Sequence, residues 1–211
     1  MKIFIYVLLK FSKLKITVKE FLEIKNWQKI YNFSEPFPSF VKRKVLEKYN
    51  SESTIWIETG TLVGETAEFL CQISKFVYTI EPSEKYFKIS KKNLEKCKNL
   101  SIRNNSSEEI LEKILLEISP NENICFWLDG HWSGGDTFRG TDDTPIEHEL
   151  STIEKFLDKF LNVNILIDDF RLFDTNNKVE TYPTKDYLVN YAKENKLEWN
   201  VSRDIFILTK K

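Results

Sequence analysis

The rhythm of apolar and polar positions changes near residue 50. Before that point, lysines and aromatic residues intermix without a glycine, and Pro36 and Pro38 break the run. Beyond the prolines, Phe40, Val41, Val45 and Leu46 recur near helical spacing and predict a helix over 39–49. The first ten residues hold a short apolar run, followed by Lys10, Lys13 and Lys15 with no small-residue cleavage site. A first strand, an interface segment and a membrane-surface foot are all open for it. Residues 1–50 therefore read as a helical, aromatic cap segment, and residues 51–211 as the folded domain.

From residue 54, short apolar runs alternate with amphipathic stretches. Strands are predicted over 54–58, 76–80, 100–103, 124–128 and 164–167. Helices are predicted over 65–74, 83–97, 110–118, 145–161 and 184–195. Ser106 to Glu109 and Thr144 to Glu147 match capping boxes, the second with Pro145 at the first helical position. The chain closes with two strands, 197–202 and 205–208, around a tight Arg203-Asp204 turn. Strands separated by helices imply right-handed crossovers and a mostly parallel sheet. Near-continuous apolar strands imply helices on both faces. The expected fold is α/β: a three-layer sandwich with a mostly parallel seven-stranded sheet and an antiparallel C-terminal edge hairpin.

Composition narrows the function classes. Hydrophobic residues at 41% and charged residues at 30% allow a packed core and exclude wholesale disorder. Lys+Arg at 31 against Asp+Glu at 32 leaves a net charge of -1. Such a balance gives no general pull toward nucleic acid or anionic lipid, so no nucleic-acid partner is expected. No apolar stretch reaches the roughly 18 residues that span a bilayer, so no transmembrane segment is expected. Cys71, Cys97 and Cys125 form no C-x-x-C pair and read as free thiols of a cytoplasmic protein.

All six glycines fall in two places, each just past a predicted strand: Gly60 and Gly64, then Gly130, Gly134, Gly135 and Gly140. That edge of an open α/β sheet is where ligands bind. The first cluster, Glu58-Thr59-Gly60-Thr61-Leu62-Val63-Gly64-Glu65-Thr66, joins a strand to a helix. Thr61 breaks the dinucleotide pattern, and no Gly-Lys-Ser/Thr is present to grip a triphosphate. Glu81 ends the second strand, about 20 residues past the loop, where an acid accepts ribose hydroxyls. Loop and acid together point to a ribose-bearing cofactor.

Asp129 ends the fourth strand, and Asp168 and Asp169 end the fifth. Adjacent parallel strands would bring the three carboxylates together. They either cap loop amides or relieve their repulsion by holding a hard divalent cation such as Mg²⁺. His131 follows Asp129 by two in a glycine-rich loop, where it either bonds backbone or serves as a general base. That loop could act as a lid, with Trp132 and Phe138 as packing aromatics or a stacking wall. His148, within Glu147-His148-Glu149, reads as part of a solvated or packed helix face.

The Glu58-x-Gly60-x-x-x-Gly64 loop, Glu81, the Ser106-Ser107 turn and the closing hairpin together resemble the class I S-adenosylmethionine-dependent methyltransferases over about residues 40–211. More narrowly, Leu128-Asp129-Gly130-His131 and Ile167-Asp168-Asp169-Phe170 resemble the macrocin-type, metal-dependent sugar O-methyltransferases. Those carry L-D-G-D and I-x-D-D-Y at the same places. The resemblance implies a Rossmann-like fold and S-adenosylmethionine as cofactor. Glu58, Gly60 and Gly64, with Thr59, Thr61 and Thr66 beside them, would hold its methionine part. Glu81 would hold the ribose, and Ser106 or Ser107 would lie near the adenine. Asp129 would serve cofactor, metal and catalysis, while Asp168 and Asp169 would complete the Mg²⁺ site. His131 stands where the family has the second Asp of its motif, the proposed base, and Phe170 replaces Tyr.

The expected activity is methyl transfer to a hydroxyl of a small molecule or sugar, Mg²⁺-assisted, with a histidine base. Two other readings stay open: a metal-independent methyltransferase using His131 alone, and a non-catalytic nucleotide-binding or assembly protein. Residues 1–50 could form a homo-oligomer contact or cover the active site.

Overall fold

The computed structural model of the protein describes residues 17–130, 144–173 and 182–210. Its strands are β1 (Thr54–Thr59), β2 (Phe76–Ile80), β3 (Leu100–Arg103), β4 (Asn123–Leu128), β5 (Asn162–Ile167), β6 (Glu198–Ser202) and β7 (Ile205–Thr209). They form one seven-stranded sheet in the order β3-β2-β1-β4-β5-β7-β6. Pairing is parallel from β3 through β5. β7 runs antiparallel beside β5, and β6 completes the edge hairpin. Arg203 and Asp204 both have positive φ (56° and 64°), as a two-residue hairpin turn matched to strand twist requires.

The helices are α1 (Val18–Tyr31), α2 (Ser39–Tyr49), α3 (Glu65–Ile73), α4 (Glu84–Asn93), α5 (Ser107–Glu117), α6 (Ile146–Glu154) and α7 (Lys185–Glu194). Side-chain alternation along the strands splits the core in two. Ile55, Ile57, Ile124, Phe126 and Ile165 pack with Leu111, Leu115, Leu150, Ile153 and Leu188 of α5, α6 and α7. Trp56, Cys125, Trp127 and Leu166 pack on the other face with Leu70 of α3 and Val45 and Leu46 of α2. Trp56 is fully buried, and its Nε1 donates to Asn50 Oδ1 at 2.9 Å.

Four local details depart from the sequence expectations. Thr17 and Glu20 close a capping box that opens α1, a helix whose residues are nowhere buried and which leaves no core periodicity to read. The helix expected over 83–97 stops at Asn93, and the one expected to reach 161 stops at Glu154, before a 3₁₀ turn at Leu157–Lys159. Neither expected capping box closes. Ser106 is the N-cap of α5 but its hydroxyl takes no helix amide. α6 opens at Ile146, which puts Thr144 one residue short of the capping position. Among the described residues no helix is long and apolar enough to cross a membrane.

Candidate active site at the sheet's carboxyl edge

Strand register builds the site. Ile80, Thr59, Leu128 and Ile167 lie in one row across β2, β1, β4 and β5. The next residues along the chain are Glu81, Gly60, Asp129 and Asp168, so the predicted positions fall in a single row at the same edge. Neighbouring strands lie about 4.8 Å apart, which keeps that row within the span of one small ligand.

At the β1 end the loop folds against both neighbours. The Gly60 and Thr61 amides donate to Ile80 O at 3.0 and 3.2 Å. Gly60 has φ +89°, and a Cβ there would lie 2.4 Å from Asp129 O. Only glycine permits this contact between loop and β4 end. Gly64, φ +90°, is the N-cap of α3, and its missing Cβ makes room for Leu94. Thr66 is half-buried in the first turn of α3.

The acids of this half are held by hydrogen bonds. Glu81 is buried; its Oε2 accepts the Leu62 amide at 2.7 Å and its Oε1 the Ser83 amide at 2.9 Å. Burial raises its pKa, and those two amides oppose the rise. Thr79 Oγ1 donates to Glu58 Oε2, and Thr61 Oγ1 lies 2.5 Å from Thr79 Oγ1. Burial pushes the Glu58 carboxyl up to about 8; the Thr79 bond pulls it down, and the charges of Asp129 and Glu81 add to the rise. Glu58 therefore keeps its proton at neutral pH.

A fourth acid stands behind this row. Glu149 of α6 is 1% exposed, and among the described residues its Oε1 has no partner within hydrogen-bond geometry. Thr59 Oγ1 is likewise buried without one. Both atoms face Gly130, whose Cβ position lies 3.2 Å from Thr59 Oγ1 and 3.6 Å from Glu149 Oε1. Burial drives the Glu149 carboxyl up to about 7, against the pull of the nearby Ser107 and Thr59 hydroxyls. Ser107, buried at the start of α5, and Ser106 before it lie at this edge beyond β3.

The β5 end is built from ions. Lys42 Nζ of α2 lies 2.6 Å from Asp168 Oδ2 and 2.9 Å from Asp169 Oδ1. Asp168 Oδ1 accepts the Asp169 amide at 2.8 Å. Arg171 Nη1 lies 2.6 Å from Asp169 Oδ1 and also pairs with Asp204 Oδ2, while the Arg171 amide donates to Asp204 Oδ1 at 2.8 Å. Burial and the Asp129 charge raise the Asp168 pKa, and Lys42 opposes that rise. Burial pulls the Lys42 ammonium down, but Asp168, Asp169 and Asp129 more than reverse it, so it stays charged.

This arrangement gives no support to the Mg²⁺ expectation for Asp129, Asp168 and Asp169. The ammonium of Lys42 stands between two of the three carboxylates, where a bridging ion would have to be. Among the described residues no three His, Cys, Asp or Glu side chains are arranged to hold a metal ion. The residues as folded do not fit Mg²⁺. His131, with Trp132 and Phe138, lies outside the described residues. His148 is exposed, which decides for the solvated helix face over the packed one. Lys42, Arg171, Asp204 and Glu149 were not singled out from sequence for the site. Their only signal is the turn at Arg203-Asp204, which shows where the chain reverses but not what Asp204 holds.

No family model matches the chain, and no curated protein matches its sequence. Solved structures do. An O-methyltransferase from Bacillus cereus in complex with SAH is 17% identical, with 93% of this chain and 92% of that one covered at a TM-score of 0.57. A SAM-dependent methyltransferase from Aquifex aeolicus is 15% identical, covering 86% and 96%, with a TM-score of 0.52. A Clostridium thermocellum structure described as an rRNA methylase is 12% identical, covering 80% and 93%, with a TM-score of 0.54. The fold is shared with these methyltransferase structures. At these identities the likeness is one of fold, and within the methyltransferase fold the row Glu81, Gly60, Asp129 and Asp168 occupies the carboxyl edge of the sheet.

Proposed function

We propose that the protein is an S-adenosylmethionine-dependent O-methyltransferase acting on a hydroxyl of a small molecule or sugar, without a divalent metal. The observation that carries this reading is the row of Gly60, Glu81 and Asp129 at adjacent strand ends, with Gly60 pressed against the Asp129 backbone. The residues fit the cofactor. Each Glu81 oxygen accepts one amide and keeps a lone pair for a ribose hydroxyl. Asp129 supplies negative charge for the cationic end, beside the glycine loop from Glu58 to Thr66. The buried Thr59 Oγ1 and Glu149 Oε1 offer further hydrogen-bonding capacity next to Gly130. Ser106 and Ser107 are the residues assigned to the adenine in this reading.

S-adenosylmethionine supplies an electrophilic methyl group carried on a sulfonium. The chain's part is to orient the acceptor for in-line displacement and to take its proton. His131 is the proposed base, two residues past Asp129. The small hydroxyl acceptor accords with the near-neutral charge balance of the chain.

The test is transfer of labelled methyl from S-adenosylmethionine to a panel of sugars, catechols and ribosomal RNA. Labelling of a small hydroxyl compound, insensitive to EDTA and lost in His131→Ala, is expected. Labelling of RNA alone would overturn the acceptor class, and EDTA-sensitive turnover would overturn the metal-free reading.

A further inference from the structure

The space between the Asp168 and Asp169 carboxylates is filled by the ammonium of a side chain from outside the sheet. Lys42, Val45 and Leu46 stand at i, i+3 and i+4 of α2, on one face of the helix. Val45 and Leu46 are 3% and 0% exposed and seat α2 on the sheet beside Trp56 and Trp127. One turn toward the helix start, the same face delivers Lys42 to the end of β5. Its side chain is 15% exposed and reaches Asp168 Oδ2 and Asp169 Oδ1 together. Asp168 is 4% and Asp169 8% exposed.

A buried ammonium is retained only where carboxylates offset its lost hydration. Removing it leaves those carboxylates uncompensated, and like charges held together are what a hard divalent cation relieves. An ammonium is a compact point charge with three N–H donors, and two are directed at these carboxylates.

We infer that Lys42 is a built-in cation occupying the divalent-metal position of the Asp129, Asp168 and Asp169 cluster, so that the wild-type cluster excludes metal and its removal creates a divalent-cation site. Lys42 is a positioning residue in this account. It fixes the rotamers of Asp168 and Asp169 and ties the N-terminal α2 to the candidate active-site edge. The inference concerns the cluster and holds whether or not the chain binds S-adenosylmethionine. Failure of cofactor binding would sink the proposed function and leave this one standing.

Mn²⁺, followed by electron paramagnetic resonance and calorimetry, is the probe. Wild type and Asp168→Asn are expected to bind it equally weakly, no tighter than about 1 mM. Lys42→Ala is expected to bind at least about tenfold tighter than wild type, with a Mn²⁺-dependent rise in thermal midpoint that wild type lacks. The double variant Lys42→Ala/Asp168→Asn should lose that gain. Where Lys42→Ala does not fold, Lys42→Gln keeps the side-chain length and carries the same prediction. Wild-type Mn²⁺ binding that disappears in Asp168→Asn would overturn the inference. So would a folded Lys42→Ala or Lys42→Gln that gains no Mn²⁺ binding.

Discussion

The two halves of the candidate site handle buried acid in different ways. At the β1–β2 ends, Glu58 and Glu81 are met by hydroxyls and backbone amides from residues near them in the fold's first crossover. At the β5 end, Asp168, Asp169 and Asp204 are met by full positive charges on Lys42 and Arg171. Hydrogen-bond satisfaction leaves the first half polar and able to accept ligand hydroxyls. Ion pairing neutralises the second half and locks it. The difference teaches that three aspartates at neighbouring strand ends do not by themselves specify a metal; what stands opposite them does.

The comparison is most exposed at Asp204. It is 2% exposed and accepts both the backbone amide and the guanidinium of Arg171. Asp204→Ala should cost about 3–5 kcal/mol in denaturant unfolding, because it removes two hydrogen bonds to a buried carboxylate and leaves the Arg171 amide without its acceptor, while Arg171 keeps Asp169. A cost below about 1 kcal/mol would mean the network resembles a surface pair.

On the other half, Gly60→Ala should cost about 2–3 kcal/mol. The new Cβ meets Asp129 O at 2.4 Å, and the backbone is left-handed. Cofactor affinity should fall with it. Gly64→Ala should cost less, since its nearest neighbour is the movable Leu94 side chain.

Glu149 sharpens the contrast through pH. Its carboxyl is raised from the ordinary 4.5 to about 7 in the folded chain. Below 4.5 both folded and unfolded forms hold the proton. Between 4.5 and about 7 the unfolded chain releases it first, so stability falls as pH rises and the loss is complete above that window. Glu149→Gln has no proton to release. It should stabilise by about 3 kcal/mol at pH 8 relative to wild type and by almost nothing at pH 4, read from unfolding curves at both pH values. An equal effect at both would show that folding does not shift the Glu149 carboxyl.

The smallest effect is expected at Glu81→Gln. Stability should fall by only about 1 kcal/mol, because the remaining carbonyl oxygen keeps the Leu62 amide while the Ser83 amide loses its acceptor. Affinity for S-adenosylhomocysteine should drop about tenfold, near 1.4 kcal/mol, since one ribose acceptor is lost.

What sequence reveals follows the same division. The loop from Glu58 to Gly64 and Glu81 form one crossover, so spacing alone identified them as neighbours. The central strands β1, β4 and β5 were legible because both of their faces are largely buried and apolar. Asp168 was equally legible, but its partner Lys42 lies 126 residues earlier in a lysine-rich segment, where nothing in the pattern marks it among many exposed lysines. Arg171 and Asp204 are 33 residues apart and meet only because β7 inserts beside β5. Glu149 was hidden for another reason. Flanked by Glu147 and His148 it looks like solvated helix surface, and only the packing of α6 turns it inward.

The measurement that bears most directly on the central claim is calorimetric titration of the folded protein with S-adenosylmethionine and S-adenosylhomocysteine, each with Mg²⁺ and with EDTA. The account predicts binding at micromolar concentration, about -8 kcal/mol, with the same affinity in both conditions. Absence of binding to the folded chain would contradict the methyltransferase reading, and binding that requires Mg²⁺ would contradict the assignment of Lys42 as the cation of the site.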